Sequence, residues 1–115
     1  MAETIFSKII RKEIPVDIVY ETETVLAFRD INPQAPVHVL IIPKVEIPKI
    51  TDLDGKTHGQ LLGELFDAAN KIANDLGIAE DGFRLVFNCG SNGGQDVFHL
   101  HMHLLGGRKM TWPPG

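Results

Sequence analysis

Between two glycine pairs, Gly93-Gly94 and Gly106-Gly107, the chain alternates histidine with apolar residues. Residues 97–105 contain three histidines, and apolar residues stand on both sides of each. A segment this short, with glycines at both ends, is more typical of a strand than of a helix. The pattern therefore predicts a final strand with all three imidazoles on one face, and it restricts the chain to folds that contain a sheet.

The rest of the chain predicts four further strands and two helices. Runs rich in β-branched and aromatic residues predict strands over residues 16–20, 25–29, 37–42 and 83–87. Apolar residues at helical spacing predict a short helix over residues 4–11 after a Thr4 cap, and a long one over residues 59–76 before Gly77. Together these elements predict an α+β domain with a five-stranded, mostly antiparallel sheet and two helices.

Length and charge narrow the class of function. With 115 residues and no internal repeat, the chain is expected to form a single domain over residues 1–115. A net charge of −4 and the absence of a basic stripe argue against nucleic acid as a partner. No apolar run is long enough for a membrane span and no secretory signal is visible, so we expect no membrane contact and a cytoplasmic location. A small-molecule site is the expectation that remains.

The three clustered histidines, His99, His101 and His103, allow several kinds of chemistry. Same-face side chains of a strand lie about 7 Å apart, so one metal ion cannot easily bind all three. His99 and His101 could still bind a metal with His38 as a third ligand. A neutral imidazole is also a nucleophile for phosphorus or a carbonyl carbon. In the remaining interpretation, the three histidines are exposed and have no function. This interpretation is less favourable, because desolvating three imidazoles on one face of a strand costs free energy unless each of them is used.

A glycine-rich loop precedes the histidines. Gly93 and Gly94 allow backbone N–H groups to approach an anion, and Asn88 and Gln95 add neutral polar groups. Taken alone, such a loop is typical of a plain hairpin turn. Its position next to the histidines favours a phosphate site.

The segment His99-Leu100-His101-Met102-His103-Leu104-Leu105 resembles the signature of the histidine triad superfamily. Further motifs resemble its nucleotide-binding (Hint) branch, and the likeness runs from Thr4 to the end of the chain. These motifs are Phe28-Arg29-Asp30-Ile31, Pro33-Gln34-Ala35-Pro36-Val37-His38, Ile42-Pro43-Lys44, Gly93-Gly94-Gln95, Gly106-Gly107-Arg108 and Trp112-Pro113-Pro114-Gly115. The resemblance implies a homodimer in which two sheets join into one of ten strands, with Trp112 near the partner subunit's site.

The resemblance also implies an activity and a set of roles. The activity is that of a purine nucleoside phosphoramidase, which hydrolyses the P–N bond of adenosine 5′-monophosphoramidate and of AMP linked to amines such as lysine, without a metal or other cofactor. By position His101 is the nucleophile that becomes nucleotidylated, His99 and His38 form a supporting relay, and His103 binds the phosphate. Asn88, Gly94 and Val97 assist at the phosphate, with Gln95 beside them, and Asp30 holds the ribose. The implied base pocket consists of Ile5, Phe6, Ile9, Phe28 and Ile31.

Two positions depart from that pattern. Asp96 stands where many members have Ser or Thr, and an ionised carboxylate cannot donate to a phosphate and repels it. We expect Asp96 either to point away from the phosphate or to face a cationic leaving group such as lysine. Glu46 stands where relatives often have a histidine, which removes one potential metal ligand.

Three alternatives remain open at the level of sequence. The chain could be a nucleotide-binding regulatory or scaffold protein of low turnover, a metal-binding protein, or a dinucleoside polyphosphate hydrolase of the same superfamily. The central His101 favours an enzyme over a pure binder. The Trp112-Pro113-Pro114 tail and the Gly93-Gly94-Gln95 loop favour the phosphoramidase.

Overall fold

The computed structural model describes residues 3–115, which contain a five-stranded antiparallel sheet and two α-helices, as the sequence predicts. In chain order the elements are α1 (Ile5–Ile10), β1 (Ile18–Glu21), β2 (Val25–Arg29), β3 (Val37–Pro43), a 3₁₀ turn (Ile50–Asp52), α2 (Gly55–Asp75), β4 (Phe83–Phe87) and β5 (Met102–Gly106). The strands lie in the order β1-β2-β3-β5-β4, so that β1 and β4 form the two edges.

Helix α1 begins where the sequence predicts it. The Thr4 side chain accepts hydrogen bonds from the backbone N–H groups of Phe6 and Ser7, and the Ser7 side chain accepts one from the Thr4 N–H. This reciprocal capping box satisfies amide groups that a helix of only six residues would otherwise leave without partners. The cap therefore explains why so short a helix forms at this position.

Helix α2 begins at Gly55, four residues before the predicted start. The Asp54 side chain accepts from the N–H groups of Lys56 and Thr57 and so caps the helix. The early start is hidden in the sequence because Gly55 and Gly59 lower the helix propensity of the first turns. At the other end, Gly77 adopts a φ of 75°, which confirms it as the residue that ends the helix.

The two faces of the sheet carry separate apolar clusters. Val25 and Ala27 of β2 face α2, whereas Leu26 and Phe28 of the same strand face α1. The same alternation along β3 and β5 places His38 and His103 on the face opposite the Val39, Met102 and Leu104 side chains that pack toward α2. The α1 face therefore combines aromatic residues with histidines.

The prediction of one strand over residues 97–105 is wrong, because only its second half forms β5. Met102 is the first residue of β5, and it pairs with Ile41 on one side and with Phe87, the last residue of β4, on the other. The backbone N–H of Leu100 donates instead to the Ile47 carbonyl, and Pro43 has no N–H with which to extend the ladder. His99 and His101 consequently lie in an irregular segment before the strand, and only His103 lies on it.

None of the helices within residues 3–115 combines the length and the apolar composition that crossing a bilayer requires.

Candidate active site

A cavity of about 260 Å³ opens between α1 and the α1 face of the sheet. This volume is slightly below the usual range for small-molecule sites, which is about 300 to 1,000 Å³. All five residues of the predicted base pocket line it: Ile5, Phe6, Ile9, Phe28 and Ile31. Five residues predicted to lie at the ribose, the phosphate or the leaving group line it as well: Asp30, Asp96, Val97, His101 and His103.

Phe6 forms the contact between α1 and the histidines. Its ring meets the His101 ring edge-on, with centroids 5.2 Å apart and planes at 88°, and it meets Phe28 at 5.6 Å. Edge-to-face pairs of this kind contribute about 0.5 to 1.5 kcal/mol beyond their buried area. Phe6 therefore packs helix α1 against both Phe28 and His101 in the cavity wall.

The hydrogen bond of His101 fixes which ring nitrogen carries its proton. His101 Nδ1 lies 2.8 Å from the backbone carbonyl of His99. A carbonyl oxygen only accepts, so Nδ1 must be the donor, and in the neutral ring Nε2 is left with a free lone pair. His101 is 4% exposed and lines the cavity, so this lone pair belongs to a nearly buried nucleophile.

In His103 the proton lies on the other ring nitrogen, Nε2, so this ring offers an N–H donor where His101 offers a lone pair. The backbone N–H of Gln34 donates to His38 Nδ1 over 3.0 Å, so the proton of neutral His38 lies on Nε2. His38 Nε2 is 2.9 Å from His103 Nδ1, which must then accept, and the His103 proton lies on Nε2. His101 and His103, whose ring centroids are 5.0 Å apart, thus offer one lone pair and one N–H donor side by side.

Burial favours the neutral form of the His38, His99 and His103 imidazoles. Burial, together with the neighbouring His101 and His38 rings, lowers the pKa of His103 to about 4. Burial also lowers the pKa of His38, although the Asp30 carboxylate 3.4 Å away opposes this shift. In the same way, burial lowers the pKa of His99. At neutral pH these three rings are therefore hydrogen-bonding groups without charge.

The lowered pKa values predict a loss of stability in acid. The unfolded chain takes up protons on these histidines near pH 6.5, whereas the folded chain resists protonation of His103 until about pH 4. The free energy of unfolding should therefore fall as the pH is lowered through this window, with His103 contributing at most about 3 kcal/mol. Denaturant unfolding of the wild type and His103→Gln between pH 4 and 8 measures this effect. The variant should show a shallower pH slope, while equal slopes would contradict the assignment. His58→Gln, outside the cavity, serves as the control.

The predicted relay divides into two separate branches. No hydrogen bond joins the His99 and His101 side chains: His99 Nε2 lies 2.8 Å from the Pro43 carbonyl, and the His99 backbone carbonyl accepts from His101 Nδ1. His38 contacts His103 rather than His101. Neither side chain lines the cavity, so both act behind the residues that do.

Three residues predicted for the phosphate loop make internal contacts instead of lining the cavity. Gln95 is buried, and its amide donates to the Pro48 and Val97 carbonyls and accepts from the Gly90 N–H. Asn88 donates to the Gly93 carbonyl, and the Gly94 N–H donates to the Ser91 carbonyl. Gln95 is thus corrected from a ligand contact to an internal brace, because every polar atom of its amide is already bonded within the protein.

Asp96, by contrast, lies on the cavity wall. Its carboxylate is close enough to His103 to favour the charged form of that ring. The expectation that Asp96 faces a cationic leaving group stays a prediction.

Several lining residues were not identified from the sequence: Ile14, Pro15, Val16, Arg29 and Leu40. Leu40 pairs directly with Phe28 across β2 and β3, so the register of that hairpin would have revealed it. Ile14 to Val16 reach the cavity because Lys12, with a φ of 62°, turns the chain back after α1. No sequence signal marks a non-glycine residue in that conformation.

Among residues 3–115, the one grouping with metal-like spacing comprises Asp30, His38 and His103, whose ligand atoms all lie within 4.8 Å of one another. A metal would need lone pairs on both His38 Nε2 and His103 Nδ1. The Gln34 N–H places a proton on His38 Nε2, and the resulting hydrogen bond occupies His103 Nδ1. The hypothesised ligand set of His99, His101 and His38 is not brought together, since each ring has a different partner.

The fold and the cavity define a small α+β domain with a histidine-lined site on one face of its sheet. Residues 11–110 match the profile of the HIT domain. The chain therefore belongs to the HIT domain family, as its histidine pattern indicates.

Individual relatives agree with this assignment. The chain is 59% identical over 108 residues to the purine nucleoside phosphoramidase of Escherichia coli K12, an alignment that covers 94% of this chain and 90% of that protein. The crystal structure of a HIT family hydrolase from Legionella pneumophila superposes with a TM-score of 0.95 at 52% identity, covering 98% of this chain and 100% of the other. A histidine triad nucleotide-binding protein from Candida albicans gives a TM-score of 0.82 at 32% identity, covering 96% and 83%.

Proposed function

We propose that this protein is a purine nucleoside phosphoramidase that hydrolyses the P–N bond of adenosine 5′-monophosphoramidate and of AMP joined to amines such as lysine. The observation that carries the proposal is the opposite polarity of two neighbouring rings, the free lone pair of His101 and the Nε2–H of His103. The similarity to the Escherichia coli enzyme supports the choice of substrate class.

The reaction follows in two displacements. In the first, the His101 Nε2 lone pair forms a bond to phosphorus, and the P–N bond breaks with its electron pair leaving on the amine, which takes a proton from solvent. In the second, a water oxygen bonds to phosphorus and the bond to His101 breaks, which returns the lone pair to Nε2. Water loses its proton to solvent, and the nucleoside monophosphate is released.

The other residues have supporting roles in this scheme. The His103 Nε2–H donates to a phosphate oxygen and stabilises the charge that develops there. The carbonyl of His99 keeps His101 in the reactive tautomer, and His38 does the same for His103. Asp30, directly after β2, binds the ribose hydroxyls, and the apolar wall formed by α1, Phe28 and Ile31 holds the base.

The proposal is tested by incubating chelator-treated protein with adenosine 5′-monophosphoramidate and, separately, with diadenosine polyphosphates. Release of AMP from the phosphoramidate at rates well above those for the polyphosphates is the expected result. Preference for the polyphosphates would make the protein a dinucleoside polyphosphate hydrolase. Tight AMP binding without turnover would instead favour a regulatory or scaffold protein.

Asp96 is expected to select cationic leaving groups. It lies on the cavity wall near His103, so its carboxylate attracts an ammonium group on the leaving amine. Asp96→Ser should lower the ratio of kcat/KM for AMP-lysine to that for an uncharged amine by about fivefold in low salt, and added salt should shrink the difference. A ratio that does not change in the variant would exclude this role. Asp81→Ser, an acidic residue outside the cavity, provides the control for net charge.

We further propose that the protein is a homodimer. Strand β4 is an edge of the sheet within the described residues, its five residues are all half-buried, and Trp112 is 81% exposed. An edge strand of this kind can pair with its counterpart in a second copy, which would extend the sheet to ten strands and bring each Trp112 toward the partner. Sedimentation equilibrium should give twice the chain mass, and a monomer at micromolar concentration would contradict the proposal.

We also propose a cytoplasmic location for the protein. The unpaired Cys89 is consistent with a reducing compartment.

A further inference from the structure

Arg108, which lies outside the cavity, is connected to the site by a chain of hydrogen bonds. Its guanidinium donates twice to the backbone carbonyl of Gln34, from Nε over 3.2 Å and from a terminal nitrogen over 3.1 Å. The N–H of the same residue, Gln34, donates to His38 Nδ1 over 3.0 Å. Through its carbonyl and its N–H, Gln34 thus connects the charged Arg108 side chain to His38, which in turn contacts His103.

The local sequence brings Arg108 to this position. Gly107 follows β5 with a φ of 89°, and a Cβ on it would lie 2.9 Å from the Pro36 ring. Only a residue without a side chain permits this turn and this close approach, which place Arg108 over the segment before β3. The backbone geometry of Gly107 therefore brings the exposed Arg108 side chain within reach of the Gln34 carbonyl.

The orientation of the Gln34 backbone decides the polarity of two rings. Both neutral tautomers of imidazole are accessible in water. At His38 the Gln34 N–H, which donates to Nδ1, and the Asp30 carboxylate, 3.4 Å from Nε2, both favour the tautomer with its proton on Nε2. With Nδ1 accepting, His38 donates from Nε2 to His103, and His103 then presents an N–H to the cavity. If the Gln34 N–H turned away, His38 could carry its proton on Nδ1, and His103 would lose its fixed donor polarity.

We propose that Arg108 is a positioning residue that, by holding the Gln34 backbone, sets the tautomers of His38 and His103 and so keeps an N–H donor directed at the phosphate. The catalytic consequence rests on the proposed phosphoramidase function. The tautomer consequence does not, because it concerns the protein without substrate.

A second arginine offers a matched control. Like Arg108, Arg84 donates to a backbone carbonyl, in this case that of Thr111 over 3.0 Å. Among the described hydrogen bonds, none joins Arg84 to His38 or Gln34. Arg84→Ala therefore removes a comparable surface contact without touching the chain that leads to His103. Arg108→Lys retains a charged donor and serves as the conservative variant.

The experiment records ring ¹⁵N shifts of the histidines in ligand-free protein, together with kcat and KM for adenosine 5′-monophosphoramidate. Wild type and Arg84→Ala should show His38 and His103 protonated on Nε2. Arg108→Ala should show a population protonated on Nδ1 and a kcat lowered about tenfold with little change in KM. Arg108→Lys should restore part of both readouts.

A second variant separates backbone from side-chain effects at Gln34. Gln34→Ala removes the side chain but keeps the N–H and the carbonyl, so the tautomers should remain those of the wild type. Wild-type ¹⁵N shifts in Arg108→Ala, or the same ¹⁵N changes in Arg84→Ala as in Arg108→Ala, would overturn the proposal. If the tautomers change but no variant, including wild type, hydrolyses the phosphoramidate, the proposed function fails and the positioning role stands.

Discussion

Replacing His101 with alanine should lower kcat for adenosine 5′-monophosphoramidate by at least about 10³-fold. The substitution removes the lone pair that attacks phosphorus, and no other described ring presents one to the cavity: His103 offers its Nε2–H there, and His99 lies behind the cavity wall against Pro43. Steady-state kinetics on metal-free protein measures the change.

Binding of AMP should survive the same substitution. The base wall and the Nε2–H of His103 remain, so the Kd for AMP, measured by calorimetry, should change by less than about tenfold. His58→Ala, a histidine outside the cavity, should keep wild-type turnover. If His101→Ala retains more than a few per cent of kcat, another group is the nucleophile and the assignment of roles is wrong.

Replacing Gly93 with alanine should cost the fold about 2 to 4 kcal/mol. A Cβ at this position would collide with the backbone of Cys89, with the Cys89 nitrogen only 2.7 Å away. Backbone atoms cannot rotate aside as a side chain can, so the turn over residues 90–94 must open. Denaturant unfolding should show a lower midpoint with an unchanged m-value.

Gly63 provides the matched control for that substitution. It lies exposed on α2, and a Cβ there meets nothing within 4 Å. Gly63→Ala should therefore stabilise the protein by up to about 1 kcal/mol, because alanine favours the helix more than glycine does. Equal effects of the two substitutions would mean that the tight packing of Gly93 against Cys89 does not limit stability.

The sequence predicts elements with a strong local signal and misses those that depend on partners. The apolar stripe of α2 and the Thr4 cap of α1 are properties of the chain itself, and both helices are confirmed. The extent of β5 depends instead on its neighbours, because its ladder ends at Met102 where β4 stops and Pro43 lacks an N–H. The alternation of histidines with apolar residues does not indicate where a neighbouring strand ends.

The same distinction applies to the site. Spacing and resemblance predict that His101 and His103 belong together, and the structure places them with ring centroids 5.0 Å apart. Their opposite polarity follows from two backbone groups, the His99 carbonyl and the Gln34 N–H, whose directions no sequence pattern encodes. A polar residue beside a glycine-rich loop predicts a ligand contact for Gln95, whereas its side-chain partners in the structure are two carbonyls and an N–H that the tertiary fold positions.

The most direct test of the account is to identify the covalent intermediate. Protein mixed with adenosine 5′-monophosphoramidate is quenched within milliseconds, digested and analysed by mass spectrometry for a histidine that carries the AMP group. The nucleotidyl group is expected on His101, where it should form and decay as fast as the enzyme turns over, and it should be absent from His101→Ala. An adduct on His99 or His103, or rapid turnover with no adduct at all, would contradict this assignment.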